Sequence, residues 1–583
     1  MGISGIDLDL VDGSLQGEET ESVAGRNVKV LVIGLDGATL DIIRPLAEAG
    51  RLPTFRRFME EGTWGVLQST VPPVTPPAWA SFMTGKNPGK HGVFDMICVG
   101  ADKEVLWPNA TWVQGKTLWD LIGERGMRVG VIDIPMTFPP TPVNGYMVAG
   151  MFTPSQESEF TYPATLQTDL LKEIGSYPME RELVGSFAAG DILGGLRSVC
   201  DHTEKRKQAA LYLLRKYDVD FFAVVFRGPD VIQHYGFRYT DEEYRRERPH
   251  ETAMYHKMID QYYEVLDGVV AELLDAVGDG TTAVIMSDHG AGPVKRCFHV
   301  NKWLHNEGFL ALKPWPSVAT LRLHVRWAAI RAALDKLGLA AVGRALPARL
   351  GDVRLPFPRL RRDRTQIVNW SRTRAFANVV SSPIKITINT PSLGKRGKQV
   401  GREERERLRR EIIEGLRSLR DPATGEPVIS QVWVPEDIYT GPLAHKAPDI
   451  TFLTTDHKFR CQVLPYARAL ITEPDEERLG MHRMEGVLMM RGPAIRSGFE
   501  LAEAQIVDLA PTVLHLLEME IPSDMDGAVL TGALREEYAA RHPERWSVAK
   551  EEPAGEADTA REVFSQEERR RIKRDLGELG YLG

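Results

Sequence analysis

Leu31-Val-Ile-Gly-Leu-Asp36-Gly37 is an apolar run that ends on an acid. Two later stretches repeat the pattern: Ala223-Val-Val-Phe-Arg-Gly-Pro-Asp230-Val-Ile-Gln-His234 and Ala283-Val-Ile-Met-Ser-Asp288-His289. Apolar runs of this length read as buried parallel strands. In open α/β sheets, ligands bind just beyond the carboxyl ends of the strands. Three such ends deliver three Asp and two His to one rim. That is the donor set of a site for two divalent cations with oxygen and nitrogen ligands. Asp230 and His234 are four apart, so a single helical turn places both on one face.

Outward from these stretches, strand-like and helix-like segments alternate. Strands are expected near 28–35, 64–69, 128–134, 220–226 and 282–287. Helices are expected near 40–49, 117–124, 205–217 and 255–277, with a helix start near 78–83. This alternation predicts a doubly wound, mostly parallel α/β sheet. Residues 1–26, rich in Gly, Ser and acids, read as a disordered lead-in. Residues 315–364 break the pattern, with eleven Lys or Arg against three Asp. They read as a basic helical insertion, either a solvated element or a lid that meets an anionic or lipid substrate. The sheet pattern is expected to resume at 374–378, 383–389 and 449–453, so that 27–314 and 365–530 form one catalytic domain. Residues 531–583 form a charged tail, in which Ser565-Gln-Glu-Glu568 fits a capping box for a short helix.

The 583 residues carry a formal net charge of −8, which gives no reason to expect nucleic acid as a partner. The four cysteines (98, 200, 297 and 461) are far apart and form no C-x-x-C, as in a reducing compartment. There is neither a signal-peptide pattern nor an apolar run long enough to span a bilayer, and the cytoplasm is the expected location.

A reaction for the rim is suggested by Ser69-Thr-Val-Pro-Pro-Val-Thr75-Pro-Pro-Ala-Trp-Ala-Ser-Phe-Met-Thr84-Gly85. Thr75 stands where an N-cap is expected, with Pro76 at the first helical position. A hydroxyl at a helix N-terminus faces unpaired N–H groups and the positive end of the dipole, a place that favours phosphate. A metal ion there can turn the hydroxyl into a nucleophile. The competing reading is that Thr75 only caps the helix.

Taken in order, these residues resemble the alkaline phosphatase superfamily, and within it the type I phosphodiesterase/nucleotide pyrophosphatase branch. The matching pieces are Leu35-Asp36-Gly37, Thr75 with Thr84-Gly85, Asn87-Pro88-Gly-Lys-His91-Gly92, Pro229-Asp230 with His234, Ser287-Asp288-His289-Gly290, and Gly480-Met481-His482. The resemblance implies an alkaline-phosphatase-like sheet with helices on both faces and an inserted lid or cap. It also implies hydrolysis of phosphate esters at a two-metal site. Asp36, Asp288, His289 and the Thr75 hydroxyl would hold one ion; Asp230, His234 and His482 would hold the other; Thr75 would be the covalent nucleophile. His482 enters only through the resemblance, because its surroundings read as a loop. His91, His299, His445 and Asp526 are read as structural. Zinc is the first choice of metal, and manganese or iron suits the same ligands.

The chain departs from the branch at two positions. Ala78 and Met96 stand where the branch often has asparagines that help hold the phosphate. Lys86, Lys90, Arg227 and Lys295 are candidate substitutes. The ester is therefore open: a phosphodiester or pyrophosphate, a phosphomonoester as in a phosphatase or phosphomutase, or a lipid head group transferred at a membrane surface through the basic insertion. A catalytically dead metal- or phosphate-binding protein is the non-enzymatic alternative. Sulfatase chemistry is disfavoured, since Thr75 and Trp79 replace that branch's Cys or Ser and its Arg. Substrate contacts are expected in 93–113, 152–200 and the insertion. Nothing in the sequence speaks to oligomeric state.

Overall fold

A computed structural model describes residues 28–99, 105–313, 367–377, 384–389, 400–548 and 563–578, apart from short breaks within 180–189, 241–256 and 464–479. The expected lead-in 1–26 and the basic insertion 315–364 lie outside the described residues.

The main sheet has nine strands. From one edge to the other they are Phe499–Leu501, Thr63–Gln68, Glu485–Arg491, Thr282–Met286, Val30–Leu35, Phe221–Phe226, Val129–Ile132, Gly145–Val148 and Thr161–Tyr162. The five from Thr282–Met286 to Gly145–Val148 are mutually parallel. All residues of Val30–Leu35, Phe221–Phe226 and Thr282–Met286 are buried, as their continuous apolar character demands. These three are immediate neighbours in the sheet, so their acid-bearing ends meet. Register completes the alignment: Leu35 pairs with Phe226, and Gly34 with Met286. One step further on, Asp36 faces Arg227 on one side and lies level with the Asp288 turn on the other.

Helix boundaries differ from the sequence reading in instructive ways. The helix expected at 205–217 begins much earlier, as Ile192–Lys216, capped by the Asp191 carboxylate on the Gly194 amide. The helix whose start is expected near 78–83 is Thr75–Thr84, with Val74 as its N-cap. Thr75 is thus the first helical residue, and its hydroxyl does not cap the helix. Pro76 and Pro77 follow it, and neither has an N–H. Among the first three helical residues only Thr75 carries an amide hydrogen, and the Ala78 amide is spent on the Val74 carbonyl at 3.1 Å. The expected row of free N–H groups for phosphate is therefore absent from this helix start.

The strands expected to resume the main sheet form a separate one. Ala375–Ala377, Ile384–Ile388, Ile450–Thr454 and Ile429–Trp433 make an antiparallel four-stranded sheet. Together with Trp303, Leu408, Ile412 and Leu416 it builds a second hydrophobic core, running from Phe298 to Ile471. The helix Arg402–Ser418 is charged on most of its surface and turns Leu408, Ile412 and Leu416, spaced four apart and fully buried, onto this core. Several contacts join this subdomain to the main one. Among them, Lys385 bridges to Asp95 at 2.7 Å, Asn87 donates to the Thr440 hydroxyl at 2.8 Å, and the Tyr439 hydroxyl donates to the Val71 carbonyl at 2.5 Å, just before the helix Thr75–Thr84. The tail helix Gln566–Glu578 has the expected capping box, with Ser565 and Glu568 bonded reciprocally. It is docked rather than loose, since Phe564 stacks on Phe138 at 5.7 Å.

Gly34 is needed where the helix Thr75–Thr84 crosses the central strand. A Cβ there would sit 2.4 Å from Trp79 and 2.8 Å from Val225. Gly34→Ala is expected to lower stability by about 1–3 kcal/mol through overpacking, read as a lower midpoint of urea unfolding at unchanged slope. An unchanged midpoint would mean that the helix is not held against this strand.

Candidate active site

The carboxyl rim gathers six candidate ligands, all buried. Asp36 follows its strand directly. Asp230 is in the first turn of the helix Gly228–Thr240, and His234 lies one turn later. Asp288 and His289 follow Thr282–Met286. His482 is on a short strand, Gly480–Arg483, that pairs antiparallel with Gly290–Pro293 and sets Ala291 opposite His482. The region read as a loop from sequence is therefore half of a two-stranded ribbon. Gly480 lets it approach: a Cβ there would lie 2.3 Å from the Gln233 carbonyl.

Two groups of ligand atoms form, each within 4.8 Å: Asp230, His234 and His482; and Asp36, Asp230 and His289. In the first, His234 Nε2 and His482 Nε2 are 3.2 Å apart, and each lies 3.2 Å from Asp230 Oδ1. In the second, His289 Nε2 lies 3.6 Å from Asp36 Oδ1. The first group holds the three residues expected for one ion; the second holds Asp36 and His289 with Asp230, while Asp288, expected there, falls in neither group and has its Oδ2 3.4 Å from His289 Nε2. The two groups adjoin, because His289 stacks on His482 at 3.7 Å.

Whether these residues suit cations is decided by what surrounds them. His234 Nδ1 is 3.1 Å from the Gly480 carbonyl, His482 Nδ1 is 3.0 Å from Pro73, and His289 Nδ1 is 3.0 Å from Gly290. A carbonyl only accepts, so each Nδ1 must carry the proton, which leaves each neutral ring's Nε2 lone pair aimed into the site. The carboxylates are divided in the same manner. Asp36 Oδ2 takes Arg227 Nε at 3.1 Å, and Asp288 Oδ1 takes the Gly37 amide at 3.1 Å. Asp36 Oδ1 and Asp288 Oδ2 are left buried with no hydrogen-bond partner. Lone pairs from three imidazoles and orphaned oxygens from two carboxylates, all turned inward, suit divalent cations and little else.

Proximity also couples the charges of the set: burial opposes protonation of the His482 ring, and its bond to Asp230 more than offsets that and raises it. Burial pushes the Asp36 carboxyl up to about 6 despite the pull of Arg227. Burial, and then the neighbouring Asp36, raises Asp288. Asp230 goes the other way: burial opposes its ionisation, and the His234 and His482 rings more than offset that. Burial and the neighbouring His482 keep the His289 ring neutral.

Thr75 is buried at the edge of this set, with Oγ1 3.4 Å from His289 Nε2. The other sequence candidates separate clearly. Arg227 is fully buried and also lies 3.9 Å from Asp230 Oδ2. Lys86 and Lys90 lie beyond the far end of the helix Thr75–Thr84, which at 1.5 Å per residue is about 15 Å long. There Lys86 pairs with Asp524 and Lys90 with Asp526. Lys295 is on an exposed turn beside Lys458. None of these three lysines is brought to the ligand set. Ala78 and Met96 are buried and apolar, so neither supplies a donor. His91 bonds Ser81 at 2.9 Å and is driven to about 3 by burial. His299 bonds Thr472 at 3.0 Å, His445 lies 2.8 Å from the Pro442 carbonyl, and Asp526 also accepts from Asn87 at 2.7 Å. Sequence reasoning missed Gln233, which is fully buried and donates to the Gly37 and Pro229 carbonyls, both at 2.8 Å.

A mostly parallel sheet whose central strand ends carry this ligand set beside a buried threonine fits a phosphoric ester hydrolase, and the family comparison shows that class. More narrowly, the model of the type I phosphodiesterase / nucleotide pyrophosphatase family matches residues 30–459, and the chain belongs to that family. Solved structures similar to it include human ectonucleotide pyrophosphatase/phosphodiesterase 5, at 14% identity and TM-score 0.47 over 87% of this chain and 100% of that one. The murine counterpart, as an inactive variant in complex with AMP, gives 13% identity and 0.47 over the same shares. Phosphonoacetate hydrolase from Sinorhizobium meliloti, in complex with phosphonoformate, gives 14% and 0.45 over 83% of this chain and 94% of that one. No curated protein matches. Among the described residues, no helix is long and apolar enough to cross a membrane.

If the two ligand groups hold separate ions, zinc-loaded, desalted protein is expected to retain two ions per chain by elemental analysis. His482→Ala is expected to retain one. Chelation is expected to lower the melting temperature, since saturating metal at a thousand times its Kd stabilises by about 4 kcal/mol. Two ions retained by His482→Ala would overturn the partition.

Proposed function

We propose that this chain is a metal-dependent hydrolase of phosphate esters that works through a phosphothreonine at Thr75. The observation that carries the reading is the buried Thr75 hydroxyl, 3.4 Å from His289 Nε2, beside two adjoining groups of ligand atoms. Asp36, Asp288, His289 and Thr75 would hold one divalent ion, and Asp230, His234 and His482 the other. Such ions, when bound, polarise phosphoryl oxygens and lower the pKa of a coordinated hydroxyl. Zinc suits the mixed Asp and His donors best, and manganese or iron would fit them too.

The chain's own residues do the rest. The first helical turn fixes Thr75, because Pro76 and Pro77 have locked φ angles. The Thr75 oxygen attacks phosphorus in line; the P–Oγ bond forms as the bond to the leaving oxygen breaks, and the leaving oxygen departs with a proton. Water then attacks the phosphothreonine from the vacated side, which releases phosphate, or a phosphate monoester where the substrate is a diester, and restores the hydroxyl. The buried rim excludes competing water and strengthens each charge interaction within it. We place the protein in the cytoplasm, in keeping with the free thiols of Cys200, Cys297 and Cys461.

Thr75→Ala, loaded with metal, is expected to lose at least about three orders of magnitude in turnover of both p-nitrophenyl phosphate and bis(p-nitrophenyl) phosphate. It should keep its ions. Thr75→Ser should retain part of the rate. Undiminished hydrolysis by the alanine variant would remove Thr75 from the nucleophile role.

A further inference from the structure

Every polar side chain from Arg227 to His234 is buried, and there are four: Arg227, Asp230, Gln233 and His234. Asp230 and His234 belong to one ligand group with His482. Arg227 and Gln233 reach the other way, onto the end of the neighbouring strand. The register that pairs Leu35 with Phe226 sets Arg227 across from Asp36. Gln233 lies one turn further on, in the helix Gly228–Thr240.

Each of the two fixes a group whose direction is otherwise loose. The terminal torsion of an aspartate is soft. Arg227 Nε donates to Asp36 Oδ2 at 3.1 Å and so turns Oδ1 towards His289 Nε2, 3.6 Å away. Arg227 Nη2 also lies 3.9 Å from Asp230 Oδ2, so one guanidinium fork spans carboxylates on two different strand ends. Gln233 acts through the backbone. Its carboxamide donates to the carbonyls of Gly37 and Pro229, both at 2.8 Å. Gly37 has a left-handed φ of +72° and the backbone freedom of a glycine. Its amide donates to Asp288 Oδ1 at 3.1 Å, which leaves Oδ2 3.4 Å from His289 Nε2. Holding the Gly37 carbonyl therefore holds the amide that aims Asp288.

The competing role is purely structural: a carboxamide that satisfies two buried carbonyls, and a guanidinium that balances a buried carboxylate. Both roles imply some loss of stability on substitution. Only a positioning role implies that one ion is lost while the other is kept. Charge separates the two as well. As a bare charge Arg227 repels a cation, so a variant that keeps the charge would bind zinc unchanged; as a clamp, a variant that keeps the charge but loses the fork binds zinc less tightly.

We propose that Arg227 and Gln233 are positioning residues for the ion at Asp36, Asp288 and His289, carried on the stretch of chain that ligates the other ion. The inference rests on the two-ion reading above and adds to it the residues that aim the carboxylates of one site. Neither residue touches ion or substrate.

The test titrates zinc into full-length wild type, Arg227→Lys and Gln233→Met against a chromophoric chelator, and counts the ions retained after desalting by elemental analysis. Lysine keeps the charge but has a single nitrogen and cannot span both carboxylates. Methionine keeps the length of glutamine and has no donor. Each variant is expected to weaken one of the two zinc constants by about 10- to 100-fold, the usual cost of losing an outer partner of a metal ligand, and to leave the other largely unchanged. In the His482→Ala background, which keeps the ion at Asp36, each substitution is expected to remove the remaining ion. Unchanged constants in either variant, equal weakening of both constants, or retention of that ion in the double variants would overturn the proposal. If one variant fails to fold, the other decides alone. Wild type that holds two zinc ions but hydrolyses neither p-nitrophenyl phosphate nor bis(p-nitrophenyl) phosphate would sink the hydrolase reading and leave this one to the zinc constants. Wild type that retains no zinc would overturn both.

Discussion

The rest of the structure depends on the mutual repulsion of Asp36, Asp230 and Asp288, which are packed into one dry rim. An isolated buried carboxylate is costly, and three together are costlier still unless cations sit among them. The fold accepts this because the parallel register leaves no alternative. Val30–Leu35 is flanked by Phe221–Phe226 and Thr282–Met286, all three end at the same height, and each carries an acid at or just past its end. The continuous apolar character that buries the strands also removes the water that would otherwise shield the acids. Burial raises Asp36 to about 6 even though Arg227 pulls the other way.

What turns repulsion into a site is a ring of backbone groups. The carbonyls of Gly480, Pro73 and Gly290 each take an imidazole Nδ1 proton, and the Gly37 amide takes one oxygen of Asp288. Carbonyls and amides cannot change protonation near neutral pH. The directions of the three imidazoles and of Asp288 are therefore fixed by the backbone, and ion binding need not reorganise them. Gly37 suits its task twice over. Its φ of +72° is the left-handed conformation that glycine adopts freely, and a Cβ would come within 3.0 Å of Asp230.

How much of this could be read from sequence follows the range of the interactions. The three acid-bearing strands were legible because burial and carboxyl-end placement are properties of a single run of residues. Asp230 and His234 were legible because the helical period is local. His482 was not, because its strand is made by pairing with Gly290–Pro293 nearly two hundred residues away, and four residues carry no period. The lysines failed for the opposite reason. Lys86 and Lys90 are near Thr75 in sequence but at the other end of a straight helix, where acids from 524 and 526 claim them. The second sheet was legible as strands but not as a separate body, since alternation does not say which sheet a strand joins. Arg227 was noticed as a charge, and only the register shows that it faces Asp36.

The two prolines after Thr75 give the site its character. A helix start with its amides free offers an anion neutral donors. Pro76 and Pro77 remove two of those donors, and what they provide in exchange is a stiff first turn beneath Thr75. The hydroxyl is then held by backbone geometry, beside a rim whose field is set by its formal charges. In a dry site of this kind each charge counts for more, because little water is there to screen it.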